Sequence, residues 1–293
     1  MSDFLAALHA SGLRARDVVP DGKWHRCATD DKPKKKNGVF LLSLDGRRGV
    51  FKNYATDSDF STWTDGKPMS QADKRDMAAM AALARDQERR RRAVAMRSMF
   101  EHWSRLQPLR GVHPYIERKG LRMDGCAGLR VDGDALVIPM TRAGHLVSLQ
   151  TITPEGEKKY RAGCPVSGAT FDIGRLDARV TCYAEGFATG LAVFQCVPLV
   201  RVRVCFDAGN LVKVAEEVGM VQGMAAVCAD NDWTGERNAG LEKGSKAAEL
   251  LGCGIAYPQG IKGSDWADAL QEWGSAAKVR AEVMRGVKFV SAT

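Results

Sequence analysis

The chain has no paired cysteines. Its eight, at 27, 126, 164, 182, 196, 205, 228 and 253, include none at C-x-x-C spacing. They read as free thiols rather than a disulfide framework, and Cys182, Cys205 and Cys228 fall in apolar runs where cysteine acts as a small buried hydrophobe. No apolar run approaches the length of a membrane span and no secretory leader is evident, so the expected location is the cytoplasm, without a membrane partner. A G-x-x-x-x-G-K-[ST] phosphate loop is also missing, which removes a nucleotide hydrolase of that type. Glycine and proline are absent from residue 70 to 106, an Ala-, Met- and Arg-rich stretch that predicts one long helix linking two domains. Arg89, Arg90, Arg91 and Arg92 go all the way round it, so some of them must meet solvent or phosphate.

Charge is spread unevenly. Residues 1–110 hold 22 Lys and Arg against 14 Asp and Glu, whereas residues 111–293 hold 21 of each, so the whole net charge of +8 lies in the N-terminal part. A basic module of this kind suits a polyanionic partner, because Lys and Arg gain affinity by releasing phosphate counterions.

The most informative stretch runs from Val180 to Trp266. It reads VTCYAEGFATGLAVF, LVRVRVCFDAGNL, MAAVCADNDWTGERNAG and GCGIAYPQGIKGSDWADAL. Each unit is a β-rich apolar run, a polar turn with an acid, and a segment of helical periodicity, which predicts a mostly parallel sheet. Glu185, Asp207, Asp230, Asp232, Asp265 and Asp268 all follow such runs. Parallel sheets bind ligands beyond the carboxyl ends of their strands, so these acids are expected on one rim. Clustered carboxylates need a counter-ion, and an all-oxygen set favours Mg²⁺ or Mn²⁺ over zinc. Asp265 can also cap the helix WADALQEW, and Asp207 the helix after CFDAGNL.

Glu185-Gly186, Asp230-Asn231-Asp232 and the later GSDWAD resemble the Toprim domain of topoisomerases and bacterial-type primases. Residues 114–178, with PYIERKGL, ALVIPM, GHLVSLQTITPEGEKKYRAG and GATFDIG, resemble the segment before Toprim in DnaG-like primases of the plasmid and phage type. The resemblance implies an α/β fold: a Toprim-type mostly parallel sheet flanked by helices, preceded by an α+β primase core segment and a small β-rich N-terminal domain. The expected layout is a basic N-terminal domain at 1–66, a linker helix at 67–109, the first part of the catalytic core at 110–178, Toprim at 179–275 and a tail at 276–293. The implied activity is synthesis of short primers on single-stranded DNA from nucleoside triphosphates, with a separate replicative helicase as a further partner. Glu185, Asp230 and Asp232 are the catalytic candidates; with Asp265 and Asp268 they are also the metal-ligand candidates. Lys159, Arg161, Asn210 and Arg118 are the candidates for nucleotide or template phosphate.

Two other readings stay open: a Toprim-type metal-dependent nuclease, and a single-stranded-DNA-binding accessory protein. A topoisomerase needs a nucleophilic Tyr on a strand-passage domain, and Tyr54, Tyr115, Tyr160, Tyr183 and Tyr257 sit in nothing of that kind.

In the N-terminal region, runs at 39–44 and 49–54 flank Asp45-Gly46, a hairpin signal, with Arg47 and Arg48 implying a loop longer than two residues. Related primases often carry a zinc module here, yet only His25 and Cys27 lie close together, too few for a four-ligand site, so zinc is not expected. Lys34, Lys35, Lys36, Arg47 and Arg48 are the DNA-binding candidates, with Trp24, Tyr54 and Trp63 as candidate stacking platforms for unpaired bases.

Overall fold

The computed structural model describes residues 3–57, 59–66, 71–233 and 238–291, without the side chains of residues 73 and 77. Residues 67–70 of the expected linker lie outside that set. The chain divides into two compact units, 1–93 and 94–293, and the boundary falls inside the long helix rather than beside it.

In the first unit, helix α1 (Asp3–Ala10) precedes an antiparallel sheet of β1 (Leu13–Arg14), β2 (His25–Thr29), β3 (Gly38–Leu42), β4 (Arg48–Asn53) and β5 (Ser61–Thr64), in sequential order. Strand alternation gives this sheet two different faces. Phe40, Leu42 and Phe51 point to one side and form a core with Phe4, Leu8, Leu13 and Cys27. Gly49 admits Phe4, whose ring occupies the space a Cβ there would need. Trp63 belongs to this core, 5.1 Å from Phe4 between ring centroids, so it is packing rather than a stacking platform. His25 is tied to Asp21 at 3.0 Å and stacks on Phe40, while Cys27 is buried. Arg47 pairs with Asp65 and Arg48 with Asp45, which spends these two DNA-binding candidates on the β3–β4 hairpin and its neighbour strand.

Helix α2 (Gln71–Arg105) is the predicted long helix. Arg89 and Arg90 pair with Asp86, and Arg92 with Glu88, one turn away along the same helix. Pairs of this exposed, within-helix kind add only about 0.3–0.5 kcal/mol each.

The second unit holds two sheets. Strands β6 (Gln107–Pro108), β7 (Arg130–Asp132), β8 (Ala135–Arg142), β9 (His145–Ile152) and β10 (Lys158–Tyr160) form an antiparallel sheet in the order β10-β9-β8-β7-β6, with helix α3 (Pro114–Arg118) between β6 and β7 in the chain. The other sheet contains β11 (Phe171–Ile173), β12 (Val180–Ala184), β13 (Val200–Val204), β14 (Gly223–Cys228), β15 (Gly254–Ala256) and β16 (Lys288–Val290). Its order is β11-β13-β12-β14-β15, with β16 against β14. The four central strands are parallel, while β11 and β16 run antiparallel to them, so the sheet is mixed.

Helices α4 (Phe187–Cys196), α5 (Ala208–Val218), α6 (Ala239–Leu251), α7 (Trp266–Trp273) and α8 (Ala276–Gly286) make the remaining connections. Residues 276–290, expected as a tail, are instead α8 and β16. The reason lies in AAKVRAEVMRG, where Val279 and Val283 stand one turn apart and are both fully buried in the main core. Trp266, with no exposure, anchors the same core edge-on to Trp273.

The β11–β13 edge carries a compact charge cluster. Asp172 accepts from Arg201 at 2.7 Å and from Arg203 at 3.0 Å. Burial alone would raise the Asp172 pKa, but the two guanidinium groups outweigh it and hold the carboxyl below its usual range. The stabilisation is therefore complete above the unfolded value near 3.8 and is lost as pH falls through the lower folded value. Asp172→Ala is expected to lower the unfolding free energy at neutral pH by about 1.5–3 kcal/mol. Urea titrations should show this deficit shrinking once the native Asp172 takes up its proton in acid.

Candidate active site

The in-register pairing of β12 with β13 and β14 sets Ala184 level with Val204 and Cys228. The residues just beyond, Glu185, Asp207 and Asp230, therefore emerge together at the carboxyl end of the sheet. Glu185 has its pKa pushed up to about 7, first by burial and then by the charges of Asp232 and Asp207, against the Ala208 N–H and Lys158. Asp230 lies well above the ordinary carboxylate range, through burial and the charges of Glu185 and Asp265, although Thr189 and Lys158 pull the other way. Like charge from Asp232 and Asp207 thus acts on Glu185, and from Glu185 and Asp265 on Asp230. The hydroxyl of Thr189, in α4 and buried, donates to Asp230 Oδ1 at 2.8 Å.

The turn from Asp230 to Asp232 is fixed by its middle residue. Asn231 donates from its backbone to Ser264 O at 2.8 Å and from its side chain to Pro258 O at 2.7 Å, and accepts from Asn238 Nδ2 at 2.6 Å. Asn238, the cap of α6, also accepts from the Asp232 N–H at 3.0 Å. Gly240 lets this helix close on the turn, since a Cβ there would meet the Asp230 carbonyl at 2.5 Å. Trp233 donates from Nε1 to Gly263 O and is otherwise 55% exposed.

Asp265 and Asp268 are used differently from the metal-ligand expectation. They form a reciprocal capping box at the start of α7, and Lys119 joins both, at 3.3 Å to Asp265 and 2.8 Å to Asp268. Burial would raise the Asp268 pKa, but Lys119 and the Ser264 and Asp265 N–H groups hold it down. Among the described residues, no three His, Cys, Asp or Glu side chains stand together closely enough to cage an ion. Of the five expected ligands, Asp268 is thus clamped by Lys119 and the α7 cap and Asp265 caps the same helix, while Glu185, Asp230 and Asp232 follow the carboxyl ends of β12 and β14. This arrangement still suits Mg²⁺ or Mn²⁺, which bind through one or two carboxylates and complete their shells with water and substrate phosphate. The shared like charge also favours a cation at the rim.

Three of the four phosphate-binding candidates are placed elsewhere. Asn210 is 5% exposed, donates to Ala169 O and Cys205 O and accepts from the Gly168 N–H, so it knits loops together. Lys159 pairs with Glu157, and Arg161 reaches Ser98 and His102 on the C-terminal part of α2. Arg118 donates to Pro154 O and lies over the Tyr115 ring, with much of its side chain still open to solvent.

The cation that does face the acids is Lys158. Its charge acts on both Glu185 and Asp230, and its Nζ lies 3.8 Å from where a Cβ on Gly186 would sit. Tyr160, two residues on and therefore on the same face of β10, donates to Phe206 O at 2.9 Å and Asp207 Oδ2 at 3.1 Å. Phe206 holds a φ of 75° in the left-handed region, which turns the chain sharply into the Asp207 cap of α5. Period-two alternation in KKY was the signal that 158 and 160 share a face and 159 does not.

Residues 181–276 match the family model described as the Toprim domain. Solved structures similar to the chain include the primase fragment of the bacteriophage T7 primase-helicase protein, at 16% identity over 61% of this chain and 80% of that one, TM-score 0.39. A DnaG primase catalytic domain bound to single-stranded DNA matches at 12% identity over 67% and 80%, TM-score 0.43. The RNA polymerase domain of Mycobacterium tuberculosis primase DnaG matches at 21% identity over 70% and 76%, TM-score 0.37.

The hydrogen bonds of Asn231 give a direct test of how the acidic turn is held. Asn231→Ala strips the Pro258 carbonyl and the Asn238 amide of partners and is expected to cost about 1–3 kcal/mol in chemical denaturation. Trp233→Ala, at an exposed position, is expected to cost less than about 1 kcal/mol.

Proposed function

We propose that the chain is a primase, joining nucleotides into short primers on a single-stranded DNA template by metal-dependent nucleotidyl transfer. The observation that carries this reading is the convergence of Glu185, Asp230 and Asp232 on one sheet rim, with Lys158 facing them. Asp230 and Asp232 would hold divalent ions against the triphosphate, and Glu185 would complete that binding or take the proton of the attacking 3′-hydroxyl. When bound, such ions neutralise phosphate charge and stabilise the attacking and leaving oxygens of an in-line displacement. Lys158 neutralises a phosphate at the same edge. Tyr160 keeps Asp207 directed into its helix cap, and Lys119 fixes the turn that carries Asp265. Phosphoryl transfer needs positioning and charge stabilisation more than a protein nucleophile, and the rim offers acids and an ammonium of that kind. A replicative helicase is the expected partner.

Incubation with single-stranded DNA, labelled ribo- and deoxyribonucleoside triphosphates and Mg²⁺ or Mn²⁺ is expected to give short oligomers. Asp230→Asn, Asp232→Asn and Glu185→Gln should each reduce their yield by roughly 100-fold or more, the scale of losing a preorganised electrostatic group. Lys158→Ala is expected to fall by roughly 10-fold or more, and Lys159→Ala to stay within about 3-fold of the native chain. Shortened DNA in the absence of added nucleotides would replace the proposal by a nuclease, and binding without either product by an accessory protein.

A further inference from the structure

The face of the N-terminal sheet turned away from Phe4 carries a row that a packed protein interior would not select. Arg26 on β2 pairs with Val39 on β3, which pairs with Lys52 on β4, so the three stand side by side across the sheet. Lys52 is only 6% exposed, is matched by Glu88 of α2 at 3.2 Å, and sits 5.3 Å from the centre of the Tyr54 ring and 5.2 Å from that of Phe60. Trp24 lies 5.5 Å from Phe60, and Arg26 lies over Tyr54 at 5.6 Å.

These aromatic rings do not fill the space between them. With Arg26, Glu88 and Arg91 they line a cavity of about 260 Å³. Its size suits one planar heterocycle rather than a peptide segment. Trp24, Tyr54 and Phe60 are only half-buried, so each ring keeps some surface toward this cavity.

Arg26 also belongs to a second, larger cavity of about 550 Å³, lined by Arg14, Arg16, Lys34, Lys35 and Lys36 as well. Asp17 is the acid among its lining residues, and Arg14 is partly compensated by Asp30. One guanidinium therefore stands between an aromatic cavity and a strongly basic one. Base faces next to a run of phosphates have this complementarity, and a duplex, whose bases are stacked away, does not.

We propose that this unit binds single-stranded nucleic acid by taking one unstacked base between Trp24, Tyr54 and Phe60. The adjoining phosphates run over Arg26 into the basic cavity at Arg14 and Lys34–Lys36. The proposal does not rest on the primase reading, because the site lies in the unit without the carboxylate rim. It separates the N-terminal cations by role: Lys34, Lys35 and Lys36 track phosphate, while Lys52 braces the rings through its pair with Glu88.

The test is anisotropy of the full chain with a labelled fifteen-nucleotide oligothymidylate, the same length made abasic throughout, and a duplex of that length. The double variant Trp24→Ala/Tyr54→Ala is expected to bind the oligothymidylate roughly 10- to 100-fold more weakly and to leave the abasic and duplex affinities unchanged. Trp24→Phe, which keeps a stacking face, should retain most of the binding and shows that the fold survives change at this position. Arg26→Ala should weaken both base-containing and abasic single strands. Unchanged oligothymidylate binding by the double variant would overturn the proposal, as would an equal loss on the abasic strand. Asp230→Asn should keep this base-dependent binding even where it abolishes primer synthesis, so the two proposals fail independently.

Discussion

The second unit depends on the crowding of negative charge forced by strand register. Once β12, β13 and β14 run parallel and in step, their carboxyl ends deliver Glu185, Asp207 and Asp230 to one poorly hydrated rim. Burying like charges together is costly, and the surrounding structure reads as a set of measures against that cost. Thr189 and the Ala208 N–H supply hydrogen bonds, Lys158 brings an opposite charge from the neighbouring sheet, and the Asn231 network keeps Asp230 and Asp232 from turning away.

Much of this was legible in the chain before the structure. Four apolar runs ending in acids are enough to predict parallel strands and a shared rim, because the crossover helices leave the carboxyl ends as the open edge. What could not be read was the choice among acids with competing uses. Asp265 and Asp268 are three apart at the start of a helix, a spacing that serves capping as well as ligation, and the contact that settles it comes from Lys119, 146 residues earlier than Asp265. The role of Lys158 was hidden for another reason. KKY fixes that 158 and 160 share a face, but which face looks toward the acids depends on how one sheet lies against the other. Asn210 shows that a polar residue near a candidate site can be wholly engaged in holding backbone.

The N-terminal unit shows the same limit on a smaller scale. Composition marks it as basic and aromatic, yet only the pleat separates Trp63, which belongs to the core, from Trp24 and Tyr54, which do not. Phe60 lies just before β5, where the strand pattern gives no hint of its neighbours. The pair of buried Lys52 with half-buried Glu88 joins a strand to a helix 36 residues away, a contact no local pattern encodes.

The pairing of β16 with β14 sets where the polypeptide leaves the sheet. Val290 lies beside Gly223, the first residue of β14, whereas Asp230 follows the last residue of that strand. An affinity handle or fused partner attached after residue 291 would therefore depart from the end opposite the carboxylates.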